Sequence, residues 1–162
     1  MFALRKAALA VSLAAATVVG PGVGGGVAGA APAPVAPEAD VAYHGFASLS
    51  EGRLDVLVLS RNSGPSSLEE ATVRLAFSVP VVPGKLPPDC VWGGDRVVLC
   101  STGALPSDGT RREKALELRT VGTPHEVTLH VDTAWNGGAT DKNPQNNDHR
   151  VLVPATGDPY VF

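Results

Sequence analysis

The sequence predicts an all-β protein, an antiparallel sandwich of seven or eight strands, and three observations carry that expectation. Apolar residues recur with a period of two through most of the chain after residue 39. Clusters of Gly, Pro, Asn and Asp separate the alternating runs. No segment carries the stripe of an amphipathic helix, and Ser67–Ala71 offers at most one turn. Alternation sends successive side chains to opposite faces, so it marks strands with one buried face. Several such strands with no helices between them build an antiparallel sandwich.

In chain order, Leu54, Val56 and Val58 form the first clear run, although Leu57 and Leu59 make both faces of this strand apolar. Val73, Leu75 and Phe77 alternate with Thr72, Arg74 and Ser78. Leu116 and Leu118 alternate with Glu117 and Arg119, and Val127, Leu129 and Val131 with Thr128, His130 and Asp132. Val151 and Val153 close the series. Turns fall at Asn62-Ser63-Gly64-Pro65, Pro87-Pro88-Asp89, Gly93-Gly94-Asp95, Ser107-Asp108-Gly109 and Trp135-Asn136-Gly137-Gly138. In the first of these, Gly64 is expected to supply a positive φ and Asn62 side-chain hydrogen bonds to the backbone.

Cys90 and Cys100 flank a segment centred on Gly93-Gly94-Asp95. A hairpin there brings the cysteines opposite each other, and close cross-strand pairs stand about 4.5 Å apart at Cα, within disulfide range. Closing such a loop stabilises by roughly 2.5–3 kcal/mol in the chain-entropy model. The C-x-x-C spacing of a redox pair is absent, and a span of one hairpin differs from the inter-sheet bridge of antibody domains.

The N-terminus reads as an address. Arg5 and Lys6 precede an apolar run from Ala7 to Val19, then Gly20-Pro21-Gly22 and a small-residue tract ending Ala28-Gly29-Ala30. A basic start, a short apolar centre and an A-x-A site make a secretory signal peptide over residues 1–30, cleaved after Ala30. Pro21 and the glycines interrupt the run too early for a membrane span, so the mature chain is expected to have none. Residues 31–38, with Pro32, Pro34 and Pro37, read as an extended tether, which leaves residues 39–162 for the folded domain. The whole chain has 13 Lys+Arg against 16 Asp+Glu, net −3; removing Arg5 and Lys6 leaves 11 against 16, net −5. An acidic surface repels phosphate backbones, so nucleic acid is excluded as a partner.

Two turn motifs carry a resemblance. Asp40-Val41, then Leu54-Asp55-Val56-Leu57-Val58 running into Arg61-Asn62-Ser63-Gly64-Pro65-Ser66, resembles the opening of bacterial surface Ig-like repeats. These repeats include the cell-adhesion-related domain (CARDB) and the conserved-repeat modules of surface proteins. Asp141-Lys142-Asn143-Pro144-Gln145-Asn146-Asn147, entering a last strand at Arg150–Val153, is similar to their D-x-N-P-x-N-N ending. The resemblance spans about residues 39–153. It implies an Ig-like, extracellular sandwich that serves as a spacer or interaction module without catalysis. The single copy and the cysteine hairpin depart from the pattern.

Several residues are candidate ligand contacts. Trp92 and Trp135 stand beside Gly pairs in loops, where an exposed indole stacks on a sugar ring or anchors a protein partner. Asp141, Asn143 and Asn146, with Asn147 and Asp148, gather oxygens that would suit calcium. Counted from Asp141, however, the sixth and twelfth positions hold Asn146 and Leu152, where an EF-type loop needs Gly and Glu. Capping of the turn's own backbone is the preferred role, and no metal is expected. His44, His125, His130 and His149 have no metal-ligand spacing. His130 and Asp132 share a strand face, but a serine in a nucleophile elbow is missing. Val153-Pro154-Ala155-Thr156-Gly157 resembles a sorting signal, yet only Asp158–Phe162 follows, so release rather than wall linkage is expected.

The sequence therefore points to a secreted, non-enzymatic domain with a structural, adhesion or protein-interaction role and no cofactor. The alternative is an extracellular carbohydrate-binding module using loop aromatics. Secreted protease inhibitors and hydrolases come after both. The expected partner is an extracellular protein or a cell-wall glycan.

Overall fold

The computed structural model describes residues 35–162. The expected signal peptide and residues 31–34 of the tether lie outside the described residues. The strands are β1 (Glu38–Ala39), β2 (Val41–Ser50), β3 (Arg53–Asn62), β4 (Thr72–Phe77), β5 (Cys90–Gly94), β6 (Val97–Ser101), β7 (Arg112–Arg119), β8 (Glu126–Trp135), β9 (Thr140–Asp141), β10 (His149–Pro154) and β11 (Tyr160–Val161). A 3-10 turn, η1, covers Pro144–Asn147.

Two sheets, ordered β10-β8-β4-β6-β5 and β11-β2-β3-β7, pair antiparallel throughout and pack as a sandwich. The fold class is the one that alternation predicts. The strand number is not: among the described residues eleven strands stand where seven or eight are expected. Eight of them have five residues or more, and β1, β9 and β11 have two each. A two-residue strand is too short to show a period, so only its partner's hydrogen bonds define it.

One of these short pairs lies at the junction with the expected tether. β1 runs parallel to β9, with Glu38 opposite Thr140 and Ala39 opposite Asp141. The Thr140 amide donates to the Pro37 carbonyl (2.8 Å) and the Ser66 amide to the Glu38 carbonyl (3.0 Å). The last residues of the expected tether are thus hydrogen-bonded into the fold, and strand structure begins at Glu38 rather than Ala39.

The interior lies between the sheets. Leu54, Val56 and Val58 of β3 face Val73 and Leu75 of β4 and Leu129 and Val131 of β8 within one buried cluster. Each such side chain, fully buried, contributes about 1.5–3 kcal/mol relative to exposure. β2 brings Val41, Tyr43, Ala47 and Leu49 inward; its Ala, Gly and Ser content makes that alternation faint in the sequence. The β2–β3 hairpin turns through Glu51 and Gly52, both at positive φ (50° and 76°), the backbone that matches the twist of its flanking strands.

The Asn62 turn is built as a hydrogen-bond junction. Its Oδ1 accepts from the amides of Asp40 and Gly64 (3.0 Å each), and its Nδ2 donates to the carbonyls of Ser66 (2.7 Å) and Leu105 (3.2 Å). A fully buried amide is satisfied at all four positions. Gly64 serves a different purpose from the expected one. It is not among the residues with positive φ; a Cβ there would stand 2.5 Å from the backbone of Ala39. Glycine is needed for the close approach of β1.

Cys90 and Cys100 are opposite each other in the β5–β6 register and are joined by a disulfide, with Cα atoms 4.1 Å apart. The register shifts between Trp92 and Gly94, and Gly94 takes a φ of 142° beside the Asp95-Arg96 turn.

Candidate functional site

A β-bulge creates the principal surface feature. Along β8 the side chains of Val127, Leu129 and Val131 point into the core, so strict alternation would send Trp135 inward as well. The pairing with β4 runs Arg74 opposite Asp132 and Val73 opposite Thr133, then skips to Thr72 opposite Trp135. The extra residue, Ala134, reverses the parity of the strand. Trp135 thereby leaves the core face and stands 51% exposed at the end of the sheet.

Beyond it the chain turns back through β9 and η1, and the two segments enclose an open cleft of about 710 Å³. It is lined by Trp135 and Asn136 from the end of β8, by Asp141, Pro144, Asn147 and Asp148 from β9 and η1 and their flanks, and by Arg74, Asp132 and Thr133. Of the residues singled out in the sequence, Trp135 and Asp141 meet here. Asn143 and Asn146 do not line the cleft. Asn146 Nδ2 donates to Asp40 Oδ1 (2.8 Å), and the Asn143 amide donates to Asp141 Oδ1 (2.8 Å). Trp92 sits elsewhere, half-buried against the core, with its Nε1 donating to the Gly84 carbonyl (3.1 Å).

Asp141 is the organiser of the acidic turn. Its Oδ2 accepts from the Val41 amide (3.2 Å) and from Asn147 Nδ2 (2.9 Å), while Oδ1 takes the Asn143 amide. These bonds are the turn-capping role that Asx side chains play. Among the described residues no group of three or more His, Cys, Asp or Glu is arranged to hold a metal ion.

Polar and charged side chains meet at and behind the cleft. Arg74 grips Asp132 with two hydrogen bonds, Nε to Oδ1 at 2.8 Å and Nη2 to Oδ2. His130 Nε2 lies 3.3 Å from Asp132 Oδ2 and 2.8 Å from Asp148 Oδ1. Asp132 raises the pKa of the Arg74 guanidinium above its ordinary value through these hydrogen bonds and its charge. Beneath them Thr133 Oγ1 donates to the Tyr43 hydroxyl (3.0 Å). Burial pushes the Tyr43 pKa up from 10.0 to about 12; the Thr133 bond opposes this, and the Asp132 and Asp141 carboxylates add to it. The negative field of the cleft thus reaches into the core.

His130 Nε2 stands between two carboxylates, and the Thr133 hydroxyl is turned to Tyr43. What the cleft presents is an indole face, the half-exposed side chains of Arg74 and Asp148, and the Asn136 amide. Pairing of His130 with Asp132 follows from their shared strand face; Arg74 and Thr133 were not evident as site residues. Arg74 alternates outward in the sequence, but nothing local tells that β4 and β8 are neighbours.

The sorting-like segment belongs to the fold. The Ala155 amide donates to the His125 carbonyl (2.8 Å) and the Gly157 amide to the Leu49 carbonyl (2.9 Å). Among the described residues no helix is long and apolar enough to cross a membrane. No family model, curated protein or solved structure matches the chain.

Proposed function

We propose that this chain is a secreted, non-enzymatic Ig-like binding domain of the adhesion or interaction type, and that the Trp135 cleft is its binding surface. The observation that supports this is the outward turn of Trp135 over a polar, open cleft. A half-exposed indole offers a large amphipathic face, of the kind enriched at interfaces. A volume of about 710 Å³ is in the range of sites that hold small ligands. The basic and apolar N-terminal pattern supports export with cleavage after Ala30, and the resemblance to CARDB-type modules supports an adhesive setting.

Within this reading the cleft suits a polyhydroxylated ligand, such as a cell-wall glycan. An indole face stacks on the apolar face of a sugar while carboxylate and amide groups take its hydroxyls. Fluorescence titration and pull-down with cell-wall polysaccharide fragments test it. Binding should weaken at least tenfold in Trp135→Ala and stay unchanged in Trp92→Phe. Equal retention of the glycan by Trp135→Ala and the native chain would refute the assignment. N-terminal sequencing of the exported protein should begin at Ala31.

A further inference from the structure

The outer face of the four-stranded sheet carries a second site of opposite character. His44 of β2, Leu59 and Arg61 of β3, and Arg111 ahead of β7 surround a small pocket of about 100 Å³, the space of about three water molecules. The register explains the grouping: His44 is opposite Leu59, and Arg61 lies two residues further along the same face of β3. The Nε of Arg61 is buried and has no hydrogen-bond partner. Ion pairs among the described residues engage Arg53, Arg74, Lys114, His130 and Lys142, and neither Arg61 nor Arg111. Glu113, opposite Leu59, is the carboxylate that the register brings beside the patch.

Two arginines lining one small pocket, neither in an ion pair among the described residues, are unusual in a chain of net negative charge. Buried donors are normally satisfied, and a guanidinium is shaped to give two parallel hydrogen bonds to an oxyanion. We propose that this pocket is an anion site that takes a carboxylate or phosphate group of a ligand, held between Arg61 and Arg111 with His44 at the rim. The titration of His44 agrees with such a field. Its pKa is lowered by desolvation and then by Arg61, His149 and Arg111, against a hydrogen bond to the Phe162 backbone. An anion seated on the arginines would cancel part of that field and bring the His44 value back up.

NMR of the full chain at low ionic strength tests the proposal, with sodium phosphate and sodium acetate as separate probes and sodium chloride as the control. The Arg61 Nε–H and His44 ring signals should shift saturably in the millimolar range with at least one oxyanion. Arg111→Gln, which changes an exposed side chain outside any strand, should weaken that binding at least tenfold. Glu113→Gln, which removes the neighbouring carboxylate, should tighten it at least twofold. Comparison of the two probes tells a tetrahedral from a planar preference. A response that grows linearly with salt, equals that of chloride, or persists undiminished in Arg111→Gln overturns the site.

Discussion

The two outer faces of the sandwich handle charge in opposite ways. On and beside the five-stranded sheet Arg74 pairs with Asp132, and His130 Nε2 stands between the Asp132 and Asp148 carboxylates. On the four-stranded sheet Arg61 and Arg111 stand together beside half-buried Leu59 without ion pairs among the described residues. The same strand periodicity produces both, because each face simply collects the outward residues of neighbouring strands. What differs is complementarity across strands. Removing a member of the first set uncovers a charge, whereas removing a member of the second relieves one.

The largest expected effect comes from Tyr43, which lies under the first face. The unfolded chain releases its proton near 10.0 and the folded protein near 12. Between those values the unfolded state therefore binds fewer protons, and stability falls by about 1.4 kcal/mol per pH unit, about 3 kcal/mol in all. Denaturant melts from pH 9 to 12 should show this slope in the native chain and lose it in Tyr43→Phe. Next comes Asp132→Ala, which strips Arg74 and His130 of their shared, 9% exposed carboxylate. It should cost about 2 kcal/mol, read as a lower urea midpoint.

On the other face Arg61→Gln should change the midpoint by less than about 0.5 kcal/mol, since no ion pair is lost. A loss as large as that of Asp132→Ala would erase the contrast between the faces. The smallest effect belongs to His44. Its folded pKa is lowered below 6.5, so its contribution is present above that pH and is lost as pH falls through the folded value. Arg111→Gln should raise the His44 pKa seen by NMR and shrink this acid-side loss.

Alternation made the interior legible. Val73, Leu75 and Phe77, and Val127, Leu129 and Val131, are buried as their period predicts, because a half-buried strand has no other way to satisfy both solvent and core. The Cys90–Cys100 pairing was legible for the same local reason, a turn centred between two cysteines. Trp135 shows where the reading stops. Its exposure depends on one extra residue in β8 relative to β4, a relation between two strands far apart in sequence. The cleft beside it joins β4, β8, β9 and η1 in the same nonlocal way. Gly64 illustrates a subtler gap, since a glycine needed for space and one needed for φ look identical in sequence.

The disulfide also has a mechanical side. Stretched chain lengthens by roughly 3.5 Å per residue as its strands part. The bond between Cys90 and Cys100 spans a separation of ten residues and holds their Cα atoms at 4.1 Å. Tension passing along the backbone is carried across the sulfur bridge, so the β5–β6 turn stays slack while the strands around it are pulled apart. Single-molecule extension of the oxidised domain should therefore fall short of the reduced one by about 30 Å.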